Sequence, residues 1–376
     1  MIGLKNKNKF LLFLFFIIKK FFIIISLLFP VKSFAIDLTL RGNSLAAGFV
    51  GRNNFFMFSL RNLELSVLGS SGFFFAKAQI DITPQNLYFF TDALTTKSPV
   101  VGDFLGKASG IEEFFRVKEL FLSTRGLPFV RFTIGRFYGA IGEANSRQFF
   151  DRFFVERPFT IRNFFGQDGF LDEGFEVSIF PPLPWTLEIV GQIFDGSESS
   201  WGGKGSFDFT YLVSVKNVFG KEDVSGGFSL FWATGKNNSS DRLKGNVIIS
   251  DNFTEFFGGD AFFSFRPYFY MNVGYILRRM QLPSFLVVDG GIFSEFQVVP
   301  VDIFYASIRP EVFGIPRNEF FEVGGSRTLP AIFEISIAGT FLPSRDVKLR
   351  LQWTGNFSEE FGGQSVFYLQ AMFEVR

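Results

Sequence analysis

The stretch that decides the fold is Asp346-Val347-Lys348-Leu349-Arg350-Leu351-Gln352-Trp353. Successive side chains of a strand point to opposite faces, so Val347, Leu349, Leu351 and Trp353 share one face. Asp346, Lys348, Arg350 and Gln352 share the other. The same period of two recurs along the chain. Val130, Phe132 and Ile134 oppose Arg131 and Thr133; Phe175, Val177 and Ile179 oppose Glu176 and Ser178. Leu63, Leu65 and Val67 oppose Glu64 and Ser66; Phe209, Tyr211, Val213 and Val215 oppose Thr210, Ser214 and Lys216; Leu369, Ala371, Phe373 and Val375 oppose Gln370, Glu374 and Arg376. Each segment is about the 9–11 residues that a tilted barrel strand needs. Two folds fit, a soluble β-sandwich or solenoid and a transmembrane barrel. The apolar face is made of large residues throughout and the opposite face is charged even at mid-strand, which favours the barrel, with lipid outside and water inside.

The leader points the same way. Residues 1–35 hold six Lys, no acid, two apolar blocks at 10–18 and 21–29, and then Pro30-Val31-Lys32-Ser33-Phe34-Ala35. Small residues at 33 and 35 match the pattern read by signal peptidase, so residues 1–35 are expected to be a signal peptide cleaved after Ala35, and 36–376 the barrel domain. Lys19-Lys20 interrupts the apolar part. Either 21–31 is the working apolar core behind a long basic front, or translation starts downstream of Met1; a retained inner-membrane anchor is the alternative.

Composition narrows the function. Six of the 37 basic residues and none of the 36 acids lie in the leader, which leaves 31 basic and 36 acidic residues, net −5. That balance disfavours nucleic acid as a partner. The chain has no Cys and no His, so thiol chemistry, Cys or His zinc sites and Ser-His-Asp triads are excluded. No catalytic residue, metal site or cofactor is expected, and the chain is not read as an enzyme. The longest charge-free stretch after the leader is the 13 residues 361–373, short of the roughly 20 apolar residues of a spanning helix. Of 60 Phe, 52 follow the leader, more than a soluble core of this size buries; codon bias towards Phe, Ile, Asn and Lys explains why Phe is abundant, and a lipid-facing belt explains how so much aromatic surface is accommodated.

Connections come in two styles. Gly126-Leu127-Pro128, Pro181-Pro182-Leu183-Pro184, Leu282-Pro283-Ser284 and Leu342-Pro343-Ser344 read as short periplasmic turns, and 196–206, 235–245 and 250–260 as longer polar loops on the outside. At about 21 residues per strand and connection, the chain makes about 16 antiparallel strands, with 14 to 18 as the range.

The densest polar region is 111–173. Arg147, Arg152, Arg157 and Arg162 fall five apart with Phe between them, a spacing that follows neither a strand face nor a helix face. These four are expected in an irregular or inward-folded segment as the channel constriction, and Arg116, Lys118, Arg131 and Arg136 along the channel wall. Guanidinium groups hold oxyanions bidentately, and rings of Arg or Lys select anions in pores. The alternative for any one of them is a wall salt bridge that holds a loop in place.

The same region resembles the phosphate-selective porin O and P family. Arg61 to Gly69 followed by 73–81 resembles that family's early hairpin, and Val130-Arg131-Phe132-Thr133-Ile134-Gly135-Arg136-Phe137 resembles its Val-Gly-Gln-Phe strand. Gly142-Glu143, Glu156-Arg157, 166–174 and Phe194-Asp195-Gly196 fall where the family has matching stretches. Arg136 stands where the family has Gln, and the chain ends Phe373-Glu374-Val375-Arg376 rather than on an aromatic residue. The resemblance covers 61–196. It implies a 16-stranded homotrimer in the cell outer membrane that passes small hydrophilic solutes, above all phosphate-like anions. Its partners would be outer-membrane lipid, lipopolysaccharide and those solutes. A non-transporting structural or adhesive barrel is the rival reading.

Overall fold

In the computed structural model, the structure describes residues 35–50, 55–70, 73–82, 115–196, 209–221, 223–236, 240–241, 248–249, 253–281, 285–315, 318–322, 325–329, 331–358 and 362–375. The expected signal peptide lies outside these, except Ala35, which opens the first strand.

Sixteen antiparallel strands close into one barrel. In chain order they begin with β1 (Ala35–Val50), β2 (Phe55–Ser70), β3 (Phe74–Ile82), β4 (Phe115–Thr124) and β5 (Val130–Tyr138). Two helices follow, α1 (Glu143–Ser146) and α2 (Phe159–Phe165), and then β6 (Leu171–Ile179), β7 (Thr186–Phe194), β8 (Thr210–Gly220) and β9 (Val224–Lys236). A small hairpin, β10 (Ser240–Asp241) with β11 (Ile248–Ile249), precedes β12 (Phe253–Phe265), β13 (Phe269–Gln281), β14 (Phe285–Val301) and β15 (Phe304–Phe313). A second hairpin, β16 (Asn318–Glu322) with β17 (Gly325–Leu329), pairs along the start of β14. The barrel ends with β18 (Ile332–Ser344), β19 (Val347–Ser358) and β20 (Gly362–Val375).

Each barrel strand pairs with the next, and β20 returns to β1 with Leu40 opposite Val375 and Val50 opposite Ser365. Closure leaves no sheet edge, as a barrel surrounded by hydrocarbon requires. Arg41 locks the seam from inside: its Nε is 2.7 Å from Glu374 of β20 and its Nη1 3.5 Å from Glu64 of β2.

The period of two carries through. In β19, Leu349 and Leu351 point outward and are exposed, while Arg350 and Gln352 point inward and are buried. Outward Phe132, Ile134, Phe175, Ile189, Tyr211, Val213, Trp232, Ile337, Phe367 and Leu369 continue the apolar belt. A register shift between Gln79 and Ile80 makes Lys118 the extra residue opposite β3, so Lys118 and Glu119, though consecutive, are both buried. Among the described residues no helix is long and apolar enough to cross a membrane.

Short turns 125–129, 180–185, 221–223, 266–268, 302–303 and 345–346 gather at one end, and long connections at the other. Three expected connections change. The expected loop 250–260 is mostly strand: from Phe253, β12 alternates outward Phe257 with inward Thr254, Phe256 and Asp260. Leu342-Pro343-Ser344 is the end of β18, and its turn is Arg345-Asp346. Residues 282–284 lie outside the described residues, but β13 and β14 meet there at the long-loop end, so this connection does not belong with the other Pro-bearing turns.

The interior holds the second departure. On β7, β9, β12, β14 and β15 the inward face carries Phe194, Phe231, Phe256, Phe293 and Phe313, all buried. They form one apolar core with Phe137, Ile161, Phe164, Phe165 and Phe170. Ring centroids are 4.8 Å apart for Phe165 and Phe256, 4.9 Å for Phe170 and Phe194, and 5.3 Å for Phe164 and Phe313. The Phe-rich composition thus serves an outer belt and an inner core.

The belt gives a direct test. Leu351 is 63% exposed at mid-strand. Leu351→Arg is expected to destabilise the barrel in phospholipid vesicles by about 2–4 kcal/mol, the cost of a cation on a lipid face. Denaturant titration measures it, and a change within 0.5 kcal/mol would contradict the assigned face.

Candidate functional site

Residues 139–170 leave the wall after β5 and return at β6. The two ends meet, with Gly139 N donating to Phe170 O at 3.0 Å. Asn145 staples that junction. Its Nδ2 donates to the carbonyls of Gly139 (2.9 Å) and Phe170 (3.1 Å), and its Oδ1 accepts from Phe170 N (2.8 Å). A Cβ at Gly169 would lie 2.3 Å from Asn145 Oδ1, and Gly169 has φ 76°, so glycine is required there on two counts.

The core-forming part is α2. Ile161, Phe164 and Phe165 recur at helical spacing and are buried together, while Arg162 and Asn163 fall outside that stripe. Gly166, with φ 80°, ends the helix, and its N–H bonds Arg162 O.

The segment is tied to the inner wall on all sides. Ala140 N donates to Gln192 of β7 (2.9 Å) and Glu143 N to Asp260 of β12 (2.7 Å). Gln148 Nε2 donates to Gln79 of β3 (2.9 Å), and Arg41 of β1 donates to Gln148. Val155 N donates to Gln352 of β19 (2.7 Å) and Thr160 N to Glu311 of β15 (3.3 Å). From the wall, Arg309 donates to Glu156 O (2.9 Å) and Lys348 to Phe150 O (2.8 Å), and Arg350 donates to Arg152 O. Arg309 is the hub of a buried network: its Nε lies 2.6 Å from Glu311, and its Nη atoms 3.6 Å from Glu295 and 3.7 Å from Glu334.

The four Arg expected at the constriction all lie in this segment. Arg147 reaches Glu295 of β14 (2.8 Å), Glu143 (3.6 Å) and the hydroxyl of Tyr270 (2.9 Å). Arg162 reaches Glu156 (2.6 Å) and Glu334 of β18 (3.3 Å). Arg152 donates from Nε to Arg147 O at 3.1 Å, and Arg162 from Nε to Arg157 O at 3.0 Å. Arg157 is fully buried, donates to Ala144 O (2.7 Å) and lies over the Tyr138 ring (5.2 Å). Burial pulls its guanidinium below the ordinary value.

The expected wall residues are more scattered. Lys118 bridges Asp81 (2.9 Å) and Asp168 (3.8 Å), which joins β4 to the end of the segment. Arg131 sits near the short-turn end with Glu188 (2.6 Å) and Glu176 (3.5 Å). Arg136 is buried, 3.9 Å from Glu173. The side chain of Arg116 lies outside the described residues.

Sequence reading missed Asn145, Arg309 and the pair Lys348 and Arg350. The latter two stood on the polar face of the strand that decided the fold, and inward direction on a barrel strand was the signal available for them.

No protein-family profile matches the chain, and no curated protein matches it. Solved structures do. The outer-membrane-expressed OmpT of Vibrio cholerae is 6% identical and covers 92% of this chain and 98% of its own, with a TM-score of 0.59. The anion-selective porin from Comamonas acidovorans is 10% identical, covers 91% and 100%, and has a TM-score of 0.58. Salmonella typhi OmpF, in complex with daunomycin, is 10% identical, covers 90% and 97%, and has a TM-score of 0.57. At such identities the likeness establishes the barrel fold.

Two substitutions check the anchoring. Arg162→Ala removes the guanidinium from Glu156 and leaves Glu334 with Arg309, and is expected to cost about 3–5 kcal/mol, as removal of one partner from a buried pair does. Asn145→Ala takes away the partner of Phe170 N and one of the two donors to each of the carbonyls of Gly139 and Phe170, and is expected to cost about 1–3 kcal/mol. In both, limited proteolysis of the detergent-folded barrel should cut within 139–170, where the parent protein resists. Resistance equal to the parent's would contradict the anchoring roles.

Proposed function

We propose that the protein is an outer-membrane porin through which small hydrophilic solutes diffuse down their gradients, past a constriction made by residues 139–170. The observation that carries this is the segment itself, bonded from within to β1, β3, β7, β12, β14, β15, β18 and β19. A lumen-crossing segment pinned around the wall narrows a barrel of this size without depending on the outer loops. The apolar outer face and the fold shared with outer-membrane proteins support placement in outer-membrane lipid beside lipopolysaccharide. A trimeric form is named for one structural neighbour, the in-vitro folded OmpT of Vibrio cholerae, and supports a homotrimer here.

The proposal includes a preference for anions, phosphate-like oxyanions among them. Arg147 and Arg162 spend their charge on carboxylates, so they hold the segment rather than present a field. Lys348 and Arg350 give their protons to the carbonyls of Phe150 and Arg152 and to Gln370 and Thr340. Neither forms an ion pair within 4.0 Å among the described residues, although Asp151 and Glu374 act on Lys348 from farther off, so this arc of β19 supports the anion preference better than the paired Arg residues do. The aromatic core at the long-loop end favours a second reading, a filled barrel that anchors or displays without transport.

Planar-bilayer recording separates these. The parent protein is expected to give single channels with a reversal potential on the anion side in a salt gradient. Lys348→Glu is expected to lower the anion-to-cation permeability ratio by roughly tenfold, equivalent to about 1.4 kcal/mol of local potential. An unchanged ratio would remove the anion claim, and the absence of any conductance, with no sugar-driven liposome swelling, would favour the filled barrel.

A further inference from the structure

We infer that the outward face of β8, β9, β12 and β13 at the long-loop end is a docking surface for the phosphorylated sugar headgroup of an outer-leaflet glycolipid. The inference rests on the outer-membrane placement proposed above and narrows it from a surrounding lipid to a bound one. The residues lie on neighbouring rungs of the ladder. Thr234 of β9 stands between Tyr211 of β8 and Glu255 of β12, and Glu255 pairs in turn with Arg279 of β13. One rung closer to the loops, Lys236 pairs with Phe253, and Gln281 follows Arg279 on the same face. This face is the outer one, because the alternate residues Ala233, Thr254, Phe256 and Ile276 point inward and are buried. At the same end β18 and β19 carry no such groups: Phe333 there stands opposite Phe357, and both are exposed.

A cation on a lipid-facing wall needs an anionic partner or a path to the headgroups. Arg279 is 59% exposed, and its partner among the described residues is Glu255, with 3.6 Å between Nη1 and the carboxylate oxygen. That separation is too long for a hydrogen bond. The five N–H donors of this guanidinium are therefore open to an acceptor from outside the chain. The inward Arg147 and Arg162, by contrast, are held at 2.8 Å and 2.6 Å by carboxylates. With Lys236, the described residues of this face carry two cations against one carboxylate, so an anion is the complementary partner.

The position fits a headgroup with its chains. Arg279 lies two residues from the end of β13, Lys236 ends β9 and Phe253 opens β12, so the cations stand at the rim of the belt. The next rung toward mid-strand is Val213, Trp232 and Phe257, all exposed, an apolar shelf for acyl chains. A guanidinium takes two oxygens of a phosphate along parallel N–H bonds, which gives direction as well as charge. The hydroxyl groups of Tyr211 and Thr234, on the same rung as Arg279, are of the type that bonds sugar hydroxyls. Phosphate, sugar and several chains on one molecule use all three parts of the surface, and a simple phosphodiester lipid uses two.

The test is native mass spectrometry of the full chain, folded in detergent and titrated with diphosphoryl lipid A, with the same lipid after dephosphorylation, and with phosphatidylglycerol. Diphosphoryl lipid A is expected to bind at least fivefold more tightly than either of the others. Arg279→Gln and Lys236→Gln are each expected to weaken it at least fivefold, with the heat-modifiable gel shift of a folded barrel retained. Arg345→Gln, which removes the same charge from an exposed turn at the opposite end, is expected to leave it unchanged. Unchanged affinity in the two folded rim variants, an equal loss in Arg345→Gln, or phosphatidylglycerol bound as tightly as lipid A would overturn the docking surface. Conductance of the same preparation keeps the outcomes apart: a barrel that holds lipid A but passes no ions loses the channel and keeps the surface, and a conducting barrel that holds no lipid A does the reverse.

Discussion

Everything in this molecule follows from the need to pair every backbone N–H and C=O of a sheet whose outer face is apolar. Hydrocarbon offers no partner for an unpaired peptide group, so the sheet must close on itself. Here closure falls between β20 and β1, and Arg41 joins Glu374, Glu64 and Gln148 at that seam. One side chain therefore couples the closing of the wall to the seating of the segment inside it. A closed ring of sixteen strands is too wide to be filled by its own inward side chains. Whatever enters the lumen brings its own peptide groups, and these need partners too. The inward Gln192, Asp260, Gln352 and Glu311 supply them, each accepting from a backbone N–H of the segment.

The energetic consequence is a wall with many buried charges. A single buried ion pair barely offsets its own desolvation, and the loss of one partner costs far more than the pair contributes. The charges here are shared instead. Arg309 meets three carboxylates, Glu334 meets Arg309 and Arg162, and Glu295 meets Arg309 and Arg147. Rings cover the guanidinium faces: Phe154 lies 4.5 Å from Arg309, and Phe153 lies 4.3 Å from Arg147. Edge contacts to carboxylates and face contacts to rings use the two kinds of surface a guanidinium has, which an ammonium cannot match.

The barrel was legible because the period of two survives wherever one face meets lipid and the other meets polar groups. It fails where both faces are apolar. In β12, Phe256 points inward to the aromatic core and Phe257 outward, and Gly258-Gly259 follows; by composition this reads as an irregular stretch. The inward Phe231 beside the outward Trp232 has the same ambiguity. The segment 139–170 showed itself through the spacing of its Arg residues. Their partners did not, because Glu295, Glu334, Lys348 and Arg350 lie far along the chain and only the closed ring brings them near. Nothing local marks Asn145 as the residue that joins the two ends of the segment.

The five-residue spacing itself has a physical reading. Outside its two short helices the segment is neither helix nor strand, and its carbonyls there lack regular donors. Nε of Arg152 supplies one to the carbonyl of Arg147, and Nε of Arg162 supplies one to the carbonyl of Arg157, each from five residues ahead. Binding through Nε leaves the outer nitrogens of the same fork directed elsewhere. In Arg162 they reach Glu156 and Glu334, so one side chain both braces the local backbone and fastens it to β18. Lysine has one nitrogen and could not hold a local carbonyl and a distant carboxylate along two fixed directions. The repeat of Arg is thus a stiffening device before it is a charge, and the proposed anion preference rests instead on Lys348 and Arg350, whose hydrogen bonds go to the carbonyls of Phe150 and Arg152.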